Sequence, residues 1–406
     1  MTKAHIEVEQ QHGHSSPWTV FLIFLRLGLT SFGGPVAHLG YFREEFVTRR
    51  HWLSDRSYAD LVALCQFLPG PASSQVGLAL GFSRAGYSGA LAAWAGFTLP
   101  SAIALMLFAI GLSSVGNSFS AGALQGLKIV AVAVVAQAVW GMAKSLCTDA
   151  KRITIMLLAT CVVLLSTSVW SQVSVIILAG LAGIVLFKPA QLAPHDPLPI
   201  RISRRTGSFW LALFFILLIA FPLATEALPN QTLAIVDAFY RAGSLVFGGG
   251  HVVLPLLQTE VVPTGWVGEE VFLAGYGATQ AMPGPLFTFA AFLGASMTSA
   301  PSGWLGGLIA LVAIFVPSFL LVIGALPFWE QLRQNVRTQA ALGGINASVV
   351  GLLLAALYQP VWTSAILSAQ DFGLALIAFV ALMFWKLPPW LVVVAGGAAG
   401  WLLQLL

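Results

Sequence analysis

The sequence predicts an all-α polytopic membrane protein: two inverted-topology homologous repeats whose Gly/Pro-broken helices re-enter the membrane. Three observations carry that prediction: the composition, an unusual stretch that occurs twice, and one unmatched apolar helix between the copies. Of 406 residues, 58% are hydrophobic and only 8% are charged. A water-soluble domain carries about 25% charged residues, so this chain cannot cover itself with a water-facing surface. Apolar runs long enough to span about 30 Å of hydrocarbon recur along its length. The net charge of +4 is therefore no nucleic-acid footprint, and its placement matters more than its size. Cys65, Cys147 and Cys161 lie in or beside apolar segments and form neither a disulfide framework nor a metal site.

The duplicated stretch is specific. RLGLTSFGGP at Arg26–Pro35, Trp52 and QFLPGP at Gln66–Pro71 return as RAGSLVFGGG at Arg241–Gly250, Trp266 and QAMPGP at Gln280–Pro285. The offset is 215 residues for the arginines and 214 for the glutamines. Pro100-Ser101 answers Pro317-Ser318, and Gly126 answers Gly344. A helix-breaking cluster duplicated inside an apolar chain points to the binding site of a transporter.

In chain order, residues 1–17 form a polar tail whose Glu7 and Glu9 are unlike a cleavable signal peptide. His5, His12 and His14 read as part of that frayed tail. The first repeat half covers 18–187 and includes apolar helices near 153–170 and 171–187. A basic cytoplasmic linker follows at 188–206, then one additional helix at 207–225. The second repeat half fills 226–406 and ends in helices near 371–387 and 389–405. If each repeat crosses an even number of times, the single extra crossing turns the second repeat upside down.

Charge placement tests the number of crossings. Thirteen spans would put Arg43, Arg49, Arg50 and Arg56 opposite Lys144, Lys151, Arg152 and the linker arginines, against the positive-inside rule. If 18–50 and 55–84 each enter and return on one side, sixteen of the nineteen Lys and Arg lie inside, all but Arg26, Lys128 and Arg241. Glu226, Glu260, Glu269 and Glu270 then face outward. The preferred reading is nine spans plus four re-entrant hairpins, with thirteen crossings as the rival.

The breaks have a chemical use. A Pro-Gly-Pro ends one helix and starts another, freeing the first backbone N–H groups of the new helix. Those donors, with the positive end of the helix dipole, make an anion site. Pro69-Gly70-Pro71 is followed by Ser73, Ser74 and Gln75; Pro283-Gly284-Pro285 is followed by Thr288. Gly33-Gly34 and Gly248-Gly249 form the other two tips, and Gln66 and Gln280 lie three residues before their prolines. The alternative is that Pro-Gly-Pro merely kinks packed helices.

Charged residues in apolar surroundings come next. Arg26 and Arg241 each stand six residues before a Phe-Gly-Gly. An arginine at mid-bilayer costs roughly 2.5–3.5 kcal/mol or more, so it faces protein or water. Two arginines offer planar forks to an oxyanion; a structural pairing with a carboxylate is the equal alternative. Glu45 and Glu260 correspond in the repeat and are candidate arginine partners or proton carriers. Lys128 stands where the second repeat has Asn346. His38 and His251 flank the glycine tips out of register, as pH gates or as hydrogen-bonded packing.

These residues resemble the chromate ion transporters. The resemblance rests on FGGP…EFV…WLS…QFLPGP in half one and FGGGHVVLPLLQTEVV…WV…QAMPGPLFTFAAFLG in half two. It covers both repeats and is similar to the long, two-domain members; Met282 stands where leucine is more usual. It implies an inner-membrane (plasma-membrane), multi-pass protein that exports chromate and confers resistance to it. Chromate and sulfate are both tetrahedral dianions, so sulfate or other oxyanion uptake is the alternative. The expected partners are such an oxyanion, the lipid bilayer and a second copy as a homodimer. No nucleic acid, cofactor or metal is expected. No HExxH, paired aspartates or cysteine–histidine cluster suggests an enzyme.

Overall fold

The computed structural model describes residues 15–115, 121–166, 169–187, 202–247 and 250–405. Gly248 and Gly249, most of the linker and the N-terminal histidines lie outside these described residues. The described chain is helical and contains no strand. Several helices begin where a short polar side chain takes an orphan backbone N–H. Ser16 caps α1 (Pro17–Thr30), which also has Pro17 in its first turn. Further on, Ser54 caps α3 (Asp55–Phe67). Between them runs α2 (Gly34–Arg43), continued by a wide π turn at Glu44–Arg49.

The stretch Ala72–Val115 is two helices, not one. Ala85 (φ −145°, ψ 27°) and Gly86 (φ +60°, ψ −147°) leave the helical region, and only glycine readily adopts the second conformation. The chain doubles back there: a Cβ on Gly81 would strike the Gly89 carbonyl, and one on Gly89 the Gly81 carbonyl. Residues 72–84 (α4) and 87–115 (α5) are thus antiparallel arms in backbone contact. Substituting Gly89→Leu is expected to destabilise the protein by about 1–3 kcal/mol through overpacking. It should lower the melting temperature in detergent, whereas Gly111→Leu, with nothing within 4 Å, should not.

The remaining helices of the first half are α6 (Ala121–Leu146), α7 (Ala150–Leu165) and α8 (Val169–Leu186). Asp149 caps α7, and its carboxyl is held below the usual range first by the Arg152 backbone N–H. The extra helix, α9, runs Arg204–Ala227, three residues longer at its start than the sequence predicts, because Ser203 caps it. Only 11% of its apolar stretch is buried, against 61% for α6. Phe209, Phe215, Ile216, Ile219 and Leu223 stand exposed along it. An exposed apolar face of that size needs hydrocarbon around it.

The second half repeats the plan. Its elements are α10 (Gln231–Leu245), α11 (Val253–Val261), α12 (Glu269–Thr279), α13 (Phe289–Ala295), α14 (Gly303–Ala325), α15 (Trp329–Gln334), α16 (Val336–Ala356), α17 (Ala369–Met383) and α18 (Pro389–Leu405). Five stretches of the described chain are long and apolar enough to cross a membrane. Short helices precede three of the breaks: 14 residues in α1, 13 in α3 and 11 in α12. At 1.5 Å per residue they reach about 16–21 Å, short of a bilayer core.

Four segments fold back on themselves. In 18–50, Phe24 stacks on Phe46 at 5.1 Å, joining arms on either side of the first glycine break. In 52–84, the Arg84 guanidinium lies 4.9 Å over the Trp52 ring, so both ends meet. Around the second glycine break, Arg241 on α10 pairs with Glu260 on α11 at 2.9 Å. In 266–298, the Thr298 N–H donates to the Trp266 carbonyl at 3.0 Å.

The two halves also interlock reciprocally. The Gly70 N–H donates to the Val246 carbonyl (2.7 Å), and the Gly284 N–H to the Ser31 carbonyl (3.0 Å). Gly70 and Gly284 are repeat equivalents, as are Ser31 and Val246. A Cβ on Gly70 would lie 2.5 Å from Ser318 Oγ, and one on Gly284 2.9 Å from Ser101 Oγ. Pro35 and Gly250, themselves equivalents, are neighbours: a Cβ on Gly250 would lie 3.3 Å from Pro35 Cγ. These contacts are reciprocal: each Pro-Gly-Pro glycine donates to the stretch before the glycine break of the other half. Farther out, Gly126 packs on Gly396 and Gly344 on Ala179, so equivalent glycines seat α6 on α18 and α16 on α8.

Candidate functional site

The Pro-Gly-Pro tips meet the opposite repeat in the interior. At the first tip, Leu68, Gly70 and Pro71 are buried and Gly70 has φ +119°. The Gln75 amide Nε2–H folds back to donate to the Pro69 carbonyl at 2.7 Å, fixing the turn. Helix α4 then starts as a regular α-helix, with Gln75 N–H bonded to the Pro71 carbonyl. Its earlier N–H groups have no intrahelical partner and carry the positive end of the dipole.

The second tip is built differently. After Pro285 the chain makes a 3-10 turn at Leu286–Thr288, whose Thr288 N–H is bonded to the Pro285 carbonyl. The Thr288 hydroxyl donates to the same carbonyl at 2.8 Å, so it is engaged within its own turn. The first tip thus keeps more free donors than the second.

Around these tips several polar side-chain atoms are buried without a hydrogen-bond partner. They are Ser31 Oγ, Ser74 Oγ, Gln75 Oε1, Thr98 Oγ1, Gln280 Nε2 and Ser318 Oγ. Ser74, Gln75 and Ser318 are 3%, 0% and 0% exposed. Leaving a buried polar group unpaired costs about 1–3 kcal/mol each, so a cluster in an apolar interior is expensive unless something binds there. His38 is buried beside them. Its ring meets the Ser31 carbonyl through Nε2 (3.1 Å) and the Ser73 hydroxyl through Nδ1 (3.4 Å).

The charged candidates are exposed or paired with other groups. Arg26 is exposed on α1, on one face with Leu22 and Leu29. Gln66 is also exposed, and Gly33 and Gly34 turn the first break with φ of +98° and +76°. Arg241 is held by two carboxylates, Asp237 at 2.9 Å and Glu260 at 2.9 Å. Both partners are carboxylates, so the guanidinium is engaged within its own half and not turned to the tips. Glu45 pairs with Arg50 at 2.7 Å and with Arg49 at 3.5 Å. The buried Lys128 ammonium faces Glu270 at 3.6 Å. His251 Nδ1 lies 2.8 Å from the Tyr276 hydroxyl.

Three features escaped the reading of the sequence. Asp237 has no acidic counterpart, since the first repeat has Leu22 there, so comparing the repeats could not single it out. Asp60 accepts from the Trp329 indole at 2.9 Å, across 269 residues of chain. Ser101 and Ser318 were visible as repeat landmarks, but their place against the opposite tip was not.

Comparison with known proteins supports one family. The profile described as "Chromate transporter" matches residues 18–184 and 233–401. A "Probable chromate transport protein" of Synechococcus elongatus is 28% identical over 388 residues, covering 93% of each chain. A "Chromate transport protein" of Pseudomonas aeruginosa is 27% identical over 408 residues, covering 94% of this chain and 91% of its own. An uncharacterized transporter of Methanocaldococcus jannaschii is 27% identical over 354 residues, 85% of each chain. No solved structure matches.

Proposed function

The chain belongs to the chromate transporter family, and on that premise we propose that it exports chromate from the cytoplasm and so confers resistance. The oxyanion is held between the two Pro-Gly-Pro tips and released by alternating access. The observation that carries this reading is the reciprocal interlock of the tips among buried, unpartnered hydroxyls. Ser73 and Ser74, with the first N–H groups of α4, donate to the anion. Gln280 and the Gly284 turn approach from the second repeat, while Arg26 and Arg241 shape the field at a distance.

The topology we propose is nine spans and four re-entrant hairpins, the second repeat inverted in the inner membrane. The fold-back contacts support it, because a segment whose ends touch does not separate them across a bilayer. Contacts between distant segments also join ends assigned to the same side. Asp60–Trp329 and Tyr87–Trp210 meet on the inner side, and Gln125–Ala365 and Lys128–Glu270 on the outer side.

Energetics favour the outward direction. With the cytoplasm negative, each charge moved gains or loses about 2.3 kcal/mol per 100 mV, so an expelled dianion gains about 4.6 kcal/mol. The test is radiolabelled chromate accumulation in cells with and without the protein, with excess sulfate as competitor. Lower accumulation that depends on membrane potential is expected. Equal or higher accumulation would overturn the direction.

A further inference from the structure

The buried histidine at the first tip joins the two repeats. The Ser31 carbonyl accepts from the Gly284 N–H at 3.0 Å and also meets His38 Nε2 at 3.1 Å. A carbonyl only accepts, so Nε2 carries a proton. In a neutral ring Nδ1 is then an acceptor, and the Ser73 hydroxyl 3.4 Å away must donate to it. With its proton turned to His38, Ser73 presents only lone pairs to an incoming anion. Neighbouring Ser74 Oγ, Gln75 Oε1 and Ser318 Oγ are buried and unpartnered. Ser318 comes from the opposite repeat and lies against Gly70.

We infer that His38 is the proton-linked element of a tetrahedral-oxyanion site formed by Ser73 and Ser74 of one repeat and Ser318 of the other. This rests on the reading that the tips hold the substrate. The step balances simply. A proton arrives at Nδ1, which becomes a donor to Ser73 Oγ, and the Ser73 O–H turns to donate to the oxyanion. The ring gains one positive charge beside the anion, no covalent bond to it forms, and the proton leaves when the anion does.

Other titratable groups around His38 are engaged elsewhere or face outward. On its own helix and the π turn, Arg43 pairs with Asp55, Glu45 with Arg50, and Glu44 and Arg49 approach each other at 3.9 Å. Tyr41 on that helix and Arg26 on α1 are exposed. On α3, Arg56 is exposed, the Tyr58 hydroxyl donates to the Leu39 carbonyl, Asp60 accepts from Trp329, and Cys65 is a buried thiol. On α4 and α5, Arg84 lies over Trp52 and Tyr87 accepts from Trp210. From the second repeat, His251 bonds Tyr276. His38 is thus the titratable group bonded to the serine cluster.

The experiment measures radiolabelled chromate uptake into everted vesicles, whose outer face is cytoplasmic, from about pH 6 to about pH 8. Wild-type protein is compared with His38→Gln, whose amide can donate to Ser31 and accept from Ser73 but cannot take a proton. Chromate binds a proton in this range, an effect common to both proteins. The wild-type half-saturating concentration should rise by up to about tenfold per pH unit beyond that shared change. His38→Gln should show the shared change alone. Coincident slopes would overturn the inference while leaving the site reading intact; absence of chromate flux in wild-type vesicles would overturn the site reading itself.

Should His38→Gln fail to reach the membrane, Ser73→Ala decides. It should bind about tenfold more weakly at the acid end and match wild type at the alkaline end, where Ser73 donates to His38. An equal loss at every pH, or none, would refute the relay.

Discussion

Replacing Gly70 by valine is expected to abolish chromate transport while leaving the protein in the membrane at a reduced level. Gly70 has φ +119°, a conformation that a β-branched residue adopts only with strain. Its Cβ would also lie 2.5 Å from Ser318 Oγ and 2.7 Å from the Gln75 amide. The side chain would therefore push the first tip from the opposite repeat, breaking the Gly70–Val246 hydrogen bond and displacing Ser318. Gly86→Ala separates strain from contact, because Gly86 also has positive φ (+60°) but no neighbour within 4 Å. That control should cost about 1–3 kcal/mol in backbone strain and keep its transport. If Gly70→Val transports chromate at the wild-type rate per molecule, the tips do not form the site. Gly284→Val is the equivalent test of the other half, where the new side chain meets Ser101 Oγ and the Phe97 carbonyl.

Much of this architecture was legible in the residues because breaks and repeats leave local marks. Gly33-Gly34 and Pro69-Gly70-Pro71 ended helices where their backbone preferences require, as glycine and proline breaks do. The extra helix was legible as an apolar run, although Ser203 moved its start to Arg204. Long-range partnership leaves no such mark. Glu45 and Glu260 look equivalent, yet Glu260 meets Arg241 while Glu45 is taken by Arg49 and Arg50, which follow four and five residues later on its own turn. The second tip resembles the first in sequence but closes into a 3-10 turn, and Thr288 spends its hydroxyl on Pro285. The serine pair shows the same limit: its spacing marks a repeat, but only the fold sets Ser318 against Gly70.

Arg241→Met should remove most of the folded protein from the membrane, a larger effect on abundance than on transport per molecule. Asp237 and Glu260 are 8% and 11% exposed at their side chains, and both depend on this guanidinium. Removing it leaves two carboxylates facing each other in a poorly solvated place. Breaking a buried ion pair from one side costs about 3–5 kcal/mol, a large fraction of the roughly 5–15 kcal/mol that holds a soluble domain together. The pair also ties α10 to α11 across the second glycine break, so its loss frees that hairpin to open. The triple change Asp237→Leu, Arg241→Met, Glu260→Gln removes the charges together and should restore abundance, because replacing buried ions by apolar groups of similar volume is often neutral or stabilising. Measuring chromate flux per molecule in that rescued protein then separates two roles. Near-normal flux identifies Arg241 as a brace of the hairpin. Normal abundance with flux lost identifies the trio as part of the transport cycle, in which proton uptake by a carboxylate would free the guanidinium for the passing anion.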